Sequence, residues 1–220
     1  MAEARYDAVA GWYDANFATS ELGLSARRIV LRLLPDEPGR LLDVGCGGGA
    51  HAQEVAERGW EVTGVDVSPA QLELARRRGV NAVEADAAAL PFEAESFDAA
   101  VSMFTHTDVA DFAAVVREVA RVLRPGGPFV YLGVHPCFVG PHAFVHDLDV
   151  PELHPGYRDL SYRQAAPGIW SEGIRGKVGA THLPLGLFLH AFLDAGLTLE
   201  LLEEPEGRDY PHVVALRARR

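Results

Sequence analysis

Leu41-Leu42-Asp43-Val44-Gly45-Cys46-Gly47-Gly48-Gly49-Ala50 decides the reading of this chain. A short apolar run, interrupted by Asp43, passes into glycine at 45, 47, 48 and 49 and then into a helix-forming stretch. Glycine lets the backbone take left-handed angles and approach a ligand closely. The helix behind it presents unpaired N–H groups in its first turn. The pattern predicts strand, turn and helix, with a ligand at the turn. Gly45-x-Gly47-x-x-Ala50 also fits a dinucleotide fingerprint, so the glycines alone leave several nucleotide-like cofactors open.

The same rhythm continues outward. Strands are expected over 41–44, 61–65, 82–84, 98–103 and 129–133, and helices over 50–58, 69–78 and 109–123, with Gly59 and Gly79 closing the first two. Alternation with short loops implies a mostly parallel sheet covered on both faces. Upstream, 3–34 reads as helical with a break near residues 19–20. Downstream, 134–183 is rich in Pro, Gly, His and aromatics and has no clean period. A helix over 185–195 and two strands over 197–202 and 212–218 close the chain, and their short link favours antiparallel pairing. One α/β domain is expected. It comprises a helical cover (1–34), a core (35–134), an insert (135–183) and a closing helix with strands (184–220).

The 220 residues suffice for a real core, and 48% hydrophobic with 23% charged residues is ordinary for a globular protein. A net charge of -11 opposes nucleic-acid partners. The basic runs at 76–78 and 217–220 read as solvated surface, the first suiting a helix C-terminus. Two cysteines without a CxxC pair give neither a disulfide framework nor a zinc site, and no metal is expected. The first ten residues carry Glu3, Arg5 and Asp7 and lack a signal-peptide core. The apolar stretch 183–202 is broken by Pro184, His190, Asp194 and Gly196, too often to span a membrane. A soluble cytoplasmic protein is expected, with no membrane or nucleic-acid partner. Nothing in the sequence sets an oligomeric state.

Two carboxylates follow the glycines. Asp66 ends a strand just before Ser68-Pro69-Ala70-Gln71. Ser68 reads as an N-cap, Pro69 as the first helical residue and Gln71 as the partner in a capping box. The cap leaves Asp66 unexplained, and a carboxylate there can accept two hydrogen bonds from a ribose diol. Asp86 follows the third strand ahead of Ala87 and Ala88. It could accept from an adenine amino group while the ring lies against the alanines, or it could cap a helix.

Together these residues resemble the class I S-adenosylmethionine-dependent methyltransferases, in the subgroup similar to ubiquinone/menaquinone-type and natural-product enzymes. Residues 43–49 look like that family's first motif. Ser96-Phe97-Asp98-Ala99-Ala100-Val101 resembles its fourth motif, and Leu123-Arg124-Pro125-Gly126-Gly127 its entry to the fifth strand. Tyr6-Asp7 and Tyr13-Asp14 resemble its N-terminal cofactor cover. The resemblance covers most of 1–134. It implies a Rossmann-like seven-stranded, mostly parallel sheet with one antiparallel strand near the C-terminus. It also implies S-adenosyl-L-methionine as methyl donor and an aromatic or apolar small-molecule acceptor. The implied cofactor residues are Tyr6, Tyr13, Asp43, Gly45, Cys46, Gly47, Gly49, Asp66, Val67, Gln71, Asp86, Ala87, Ala88 and Met103.

Other functions stay in view. A nicotinamide oxidoreductase would place a pyrophosphate on the glycine turn, where Asp43 adds unfavourable charge. Beside an ammonium and a sulfonium that charge is tolerable or helpful. A catalytically silent cofactor-binding regulator would use the same residues. Methylation of nucleic acid is opposed by the charge. Ser102-Met103-Phe104-Thr105 also stands where enzymes acting on flipped bases carry Asn-Pro-Pro-aromatic.

Ligands of open α/β sheets bind beyond the C-terminal strand ends. His106 follows the fourth strand and His135 the fifth, which makes them the candidate general bases if the nucleophile must lose a proton. Thr107 or Asp108 is expected to cap the next helix, with a general base as the alternative for Asp108. His142 and His182 are further candidates within 134–183. That insert should fold over the open edge of the sheet as a substrate cover. Phe138, Phe144, Tyr157, Tyr162 and Trp170 would form its walls, and Arg175 and Lys177 could hold a carboxylate. His51 either brushes the cofactor or packs locally. Cys46 and Cys137 read as small hydrophobes.

Overall fold

The computed structural model describes residues 4–145, 150–205 and 209–220. At its centre lies β1 (Arg40–Val44), buried at all positions but the first. A strand flanked on both edges and covered on both faces must be apolar along its length, and 41–44 is, apart from Asp43. Strands β2 (Glu61–Asp66) and β4 (Ala99–Met103) pair parallel to β1, with Val44 opposite Val65 on one side and Ser102 on the other. Parallel pairing continues outward to β3 (Asn81–Glu84) and β5 (Pro128–Val134). The sheet ends with β9 (Val213–Arg219) antiparallel to β5, and β8 (Thr198–Glu203) antiparallel to β9. The order is β3-β2-β1-β4-β5-β9-β8. Among the described strands of this sheet, β9 runs against the other six. The chain leaves β1 toward β2 and later returns past it to β4, so a crevice opens beyond Val44 and Met103.

Helices cover both faces. On one, α5 (Phe112–Val122) and α7 (Leu185–Asp194) press Phe112, Val116, Phe188 and Phe192 onto Phe129 and Tyr131. On the other, α2 (Glu21–Leu33) lays Val30 and Leu33 against a cluster with Val130 and Leu132, joined by Val55 of α3 (Ala50–Ala56). Helix α1 (Ala10–Asn16) precedes α2, and α4 (Pro69–Arg77) links β2 to β3. The insert carries a two-stranded ribbon, β6 (Ala143–Val145) with β7 (Pro151–Leu153), and a short helix α6 (Ile174–Val178). Nothing in the period of 134–183 announces that ribbon. Among the described residues no helix is long and apolar enough to cross a membrane.

The expected strands all form, with ends shifted by a residue or so. The helix expected over 109–123 starts later, at Phe112, and its cap is Asp111 rather than Thr107 or Asp108. The Asp111 carboxylate accepts Ala114 N–H at 2.8 Å. Residues 105–107 instead form a 3-10 turn, entered through Phe104 in the left-handed region at φ 61°. The third arginine of the 76–78 run is not simple surface either. Arg78 pairs with Asp14 at 2.8 Å and donates to Gly48 O at 2.5 Å. At the C-terminus Arg217 and Arg219 converge on Glu200.

Replacing Asp111 by Ala removes a cap worth about 1 kcal/mol. The urea midpoint should fall with an unchanged slope. An unmoved midpoint would show that α5 does not depend on the cap.

Candidate active site

The glycine loop is shaped by close approach. Gly45 and Gly49 have φ of +73° and +77°. A Cβ at Gly45 would lie 2.5 Å from the Thr105 side chain, and one at Gly49 would lie 2.9 Å from that of Ala75. The loop also reaches back to β2, where Gly45 N–H and Cys46 N–H donate to Val65 O at 2.8 and 3.0 Å. Asp66, the last residue of β2, completes the tie. Its Oδ2 accepts Gly47 N–H at 3.0 Å and its Oδ1 accepts Ser68 N–H at 2.9 Å. Burial raises the Asp66 pKa, and these backbone donors oppose the rise.

Two hollows meet over this loop. One, about 880 Å³, is lined by Tyr6, Asp66, Val67, Gln71, Asp86 and Ala87, together with Arg5, Asp108 and Val109. The second, about 580 Å³, follows the loop past Asp43, Cys46, Gly49, His51 and Arg27. They share Tyr13, Gly45, Gly47, Met103 and Phe104. The structure therefore brings the expected cofactor residues to one continuous cleft, except Ala88. Ala88 donates its N–H to Asp86 Oδ1 at 2.9 Å and packs against the core.

Polar groups without partners mark the second hollow. Asp43 is 2% exposed and its Oδ2 is buried with no hydrogen bond. Burial, and then the charge of Asp66, push its pKa up to about 7. Both ring nitrogens of His51 are also buried and unpartnered. Burial, aided by Arg27, lowers its pKa to about 3 and keeps it neutral. Buried polar atoms are nearly always satisfied. Orphans gathered at a cleft point to a polar ligand, and a lone carboxylate oxygen points to a cation. The capping box is only half formed. Ser68 Oγ accepts Gln71 N–H at 3.2 Å, but Gln71 Oε1 has no partner.

Asp66 Oδ1, rather than Gln71, takes the Ser68 N–H, and the N-terminal segment adds a further tie. Asp7 Oδ1 accepts Ser68 O–H at 2.5 Å and Ala70 N–H at 3.1 Å, pinning the cover to the start of α4. Tyr6, Tyr13, Phe17 and Phe104 then form a chain of ring contacts along the cleft, with neighbouring centroids 4.9–5.4 Å apart. Sequence reading did not identify the roles of Asp7, Arg78 and Asp108. The first two act across 61 and 30 residues of separation, which local pattern cannot register. For Asp108 a signal existed: Asp111 stands three residues before Ala114, and one helix takes one cap.

The histidines lie elsewhere. His106 is 2% exposed, its Nδ1 shares a 2.7 Å hydrogen bond with the Tyr131 hydroxyl, and Phe112 and Phe188 flank its ring. Burial, with the nearby charge of Arg175, lowers its pKa to about 3. The left-handed step at Phe104 turns His106 into the core rather than out over the strand ends. His135 Nδ1 accepts Cys137 N–H at 3.2 Å, so its Nε2–H donates to Glu204 at 2.8 Å. Burial lowers its pKa against the pull of Glu204. Neither residue lines the cleft. His142 and His182 sit against each other inside the insert, with ring centroids 4.4 Å apart.

The aromatic walls expected from the insert are not at the cleft. Trp170 is 62% and Tyr162 43% exposed, Phe138 packs on His135, and Tyr157 contacts the His142–His182 pair. The side chain of Phe144 lies outside the described residues. The insert reaches the cleft's rim through Arg175, which donates to Asp108 at 2.5 Å and to Thr107 Oγ1 at 2.7 Å. Lys177 lies over the Trp12 ring at 4.9 Å.

Known proteins share these features. Residues 42–131 match the family described as a methyltransferase domain. The demethylmenaquinone methyltransferase of Renibacterium salmoninarum is 34% identical over 179 residues, 78% of this chain and 75% of that protein. That of Thermus thermophilus is 39% identical over 137 residues, 59% of this chain and 62% of its own length. The matched segment thus spans less than two thirds of the Thermus relative, and 55% of the one from Corynebacterium kroppenstedtii. Among solved structures, an S-adenosylmethionine-dependent methyltransferase from Mesorhizobium loti superposes with a TM-score of 0.74 at 26% identity, covering 93% of this chain and all of that one. Relatives of this breadth, met on a sheet of this order, make the chain a member of the class I S-adenosylmethionine-dependent methyltransferases, in the group that includes the demethylmenaquinone enzymes.

Proposed function

We propose that the protein transfers a methyl group from S-adenosyl-L-methionine to a small-molecule acceptor through an oxygen, nitrogen or carbon nucleophile. The observation that carries this reading is the unpartnered Oδ2 of buried Asp43 beside the glycine loop. A carboxylate there suits the ammonium of an amino acid and would repel the pyrophosphate of a dinucleotide. Asp66 would accept from the ribose hydroxyls. Asp86 would accept from the adenine amino group, with Ala87 against the ring. The positive φ values of Gly45, Gly47 and Gly49 let the backbone approach the donor's amino-acid portion. Bound S-adenosylmethionine supplies an electrophilic methyl group on a sulfonium centre.

The chain's own contribution is to position and to exclude water. Tyr13 and Phe104 line both hollows, where aromatic faces suit a sulfonium cation. His106 and His135 would hold the segments after β4 and β5 in place, since one is kept neutral in the core and the other is committed at both nitrogens. The names of the relatives support a small-molecule acceptor; in this reading it is a natural product met in the cytoplasm.

Asp66→Ala should weaken binding of S-adenosylhomocysteine by roughly 1.5–3 kcal/mol, on the order of 10- to 100-fold, in calorimetry. Unchanged affinity would remove Asp66 from the donor site.

Asp43 gives a prediction with two signs. Its folded-state pKa is raised, so the folded apo protein holds that proton more tightly than the unfolded chain does. Its contribution to stability is therefore lost as pH rises from about 4 through about 7. At pH 8 Asp43→Asn should raise the melting temperature of the apo protein while weakening S-adenosylhomocysteine binding. Wild-type affinity should also fall below about pH 7, and the variant's should not. An Asn variant that binds as tightly as wild type at pH 8 would remove Asp43 from the donor site.

A further inference from the structure

We propose that Arg27 and His51 receive the carboxylate of the methyl donor, across the second hollow from Asp43, so that this hollow selects an intact α-amino acid. This rests on the donor reading above and deepens it. Asp43 there accounts for the ammonium alone, and the negative end of the amino acid needs a partner of its own.

Arg27 comes from α2 and His51 from α3, and both line the second hollow together with Asp43. Arg27 lies on the buried face of α2 with Gly23, Ala26 and Val30, whereas its neighbour Arg28 is exposed. It is 9% exposed and His51 4%. A guanidinium carries five N–H donors, and burying it without acceptors is costly. Yet Arg27 Nε has no hydrogen-bond partner. It lies 3.1 Å from Glu54 Oε1, near enough for an ion pair, but the N–H is not aligned on that oxygen and the glutamate side chain is 36% exposed. Both ring nitrogens of His51 are buried and unpartnered as well. Burial, and then the charge of Arg27, keep that ring neutral, so it retains one N–H to donate.

The placement of charge fits a zwitterion. Were Arg27 paired with Asp43, it would draw the Asp43 pKa down. Instead burial and Asp66 raise that pKa, and no cation opposes them. The hollow therefore holds a cationic and an anionic group that do not neutralise each other. An ammonium and a carboxylate carried on one carbon can meet both. A bare amine would satisfy Asp43 and leave the Arg27 and His51 donors unpaired, which is the costly outcome for buried polar groups. The other arginine at the glycine loop, Arg78, is already committed to Asp14 and to Gly48 O.

The test compares S-adenosylhomocysteine with its decarboxylated analogue, S-adenosyl-3-thiopropylamine, by calorimetry on the intact protein. Wild type should bind S-adenosylhomocysteine at least about tenfold more tightly. Arg27→Gln should lose that preference, binding S-adenosylhomocysteine about tenfold more weakly while its affinity for the analogue stays near that of wild type. Arg27→Lys should keep part of the preference. His51→Leu should narrow it by less, since a neutral donor holds a carboxylate more weakly than a cation does. A merely structural arginine would weaken both ligands alike in Arg27→Gln, and that result would overturn the assignment. An unchanged preference in His51→Leu would overturn the part given to His51. Wild type that binds both ligands equally would overturn the whole assignment alone, a comparison that needs no variant. Wild type that binds no S-adenosylhomocysteine would overturn the donor reading beneath it.

Discussion

Asp66 ties the floor of the cleft together. One carboxylate oxygen holds the Gly47 N–H and the other the Ser68 N–H, so the loop after β1 and the turn after β2 are fixed to the same group. Such a residue is costly to bury, and its raised pKa records that cost. What offsets it is the pair of backbone donors, which would themselves be left unsatisfied at a loop and a helix start. Remove the carboxylate, and the glycine loop is held against β2 only by the Gly45 and Cys46 bonds to Val65 O. The adjoining Asp43 lacks such donors, and this difference separates a group that builds the cleft from one proposed to meet a ligand.

The cover extends that tie across the crevice. Asp7 fastens the N-terminal segment to α4, Asp14 and Arg78 fasten α1 to the glycine loop, and Tyr6 and Arg5 reach Asp108 on the far side. The bonds from side chains half exposed or more are individually weak. Acting together over one aromatic row, they enclose the cleft over the glycine loop. A closed cleft strengthens every electrostatic contact inside it and keeps water from the methyl group.

Much of this was legible in the chain. The central strands showed as short apolar runs because a doubly covered sheet admits little else, and Gly59 and Gly79 showed where helices stop because a left-handed C-cap favours glycine. Asp66 stood out because the cap at Ser68 could not account for it. What stayed hidden depended on long-range geometry. His106 and His135 follow strands as site residues should. Yet a single left-handed residue, Phe104, sends one into the core, and Glu204 with Cys137 N–H engages the other. The ribbon and aromatics of the insert had no period to read, since their partners lie in loops rather than on a regular face. Asp108 read as a cap before a base, and the observed cap at Asp111 overturns the first of these.

The central claim is that this cleft is built for an adenosyl amino acid. Thermal denaturation of the protein with saturating S-adenosylhomocysteine, and separately with NAD, tests it most directly. A ligand present at about a hundred times its dissociation constant stabilises the folded state by about 2.7 kcal/mol, a readily measured rise in melting temperature. The account predicts that rise with S-adenosylhomocysteine and none with NAD. A rise with NAD alone would contradict it.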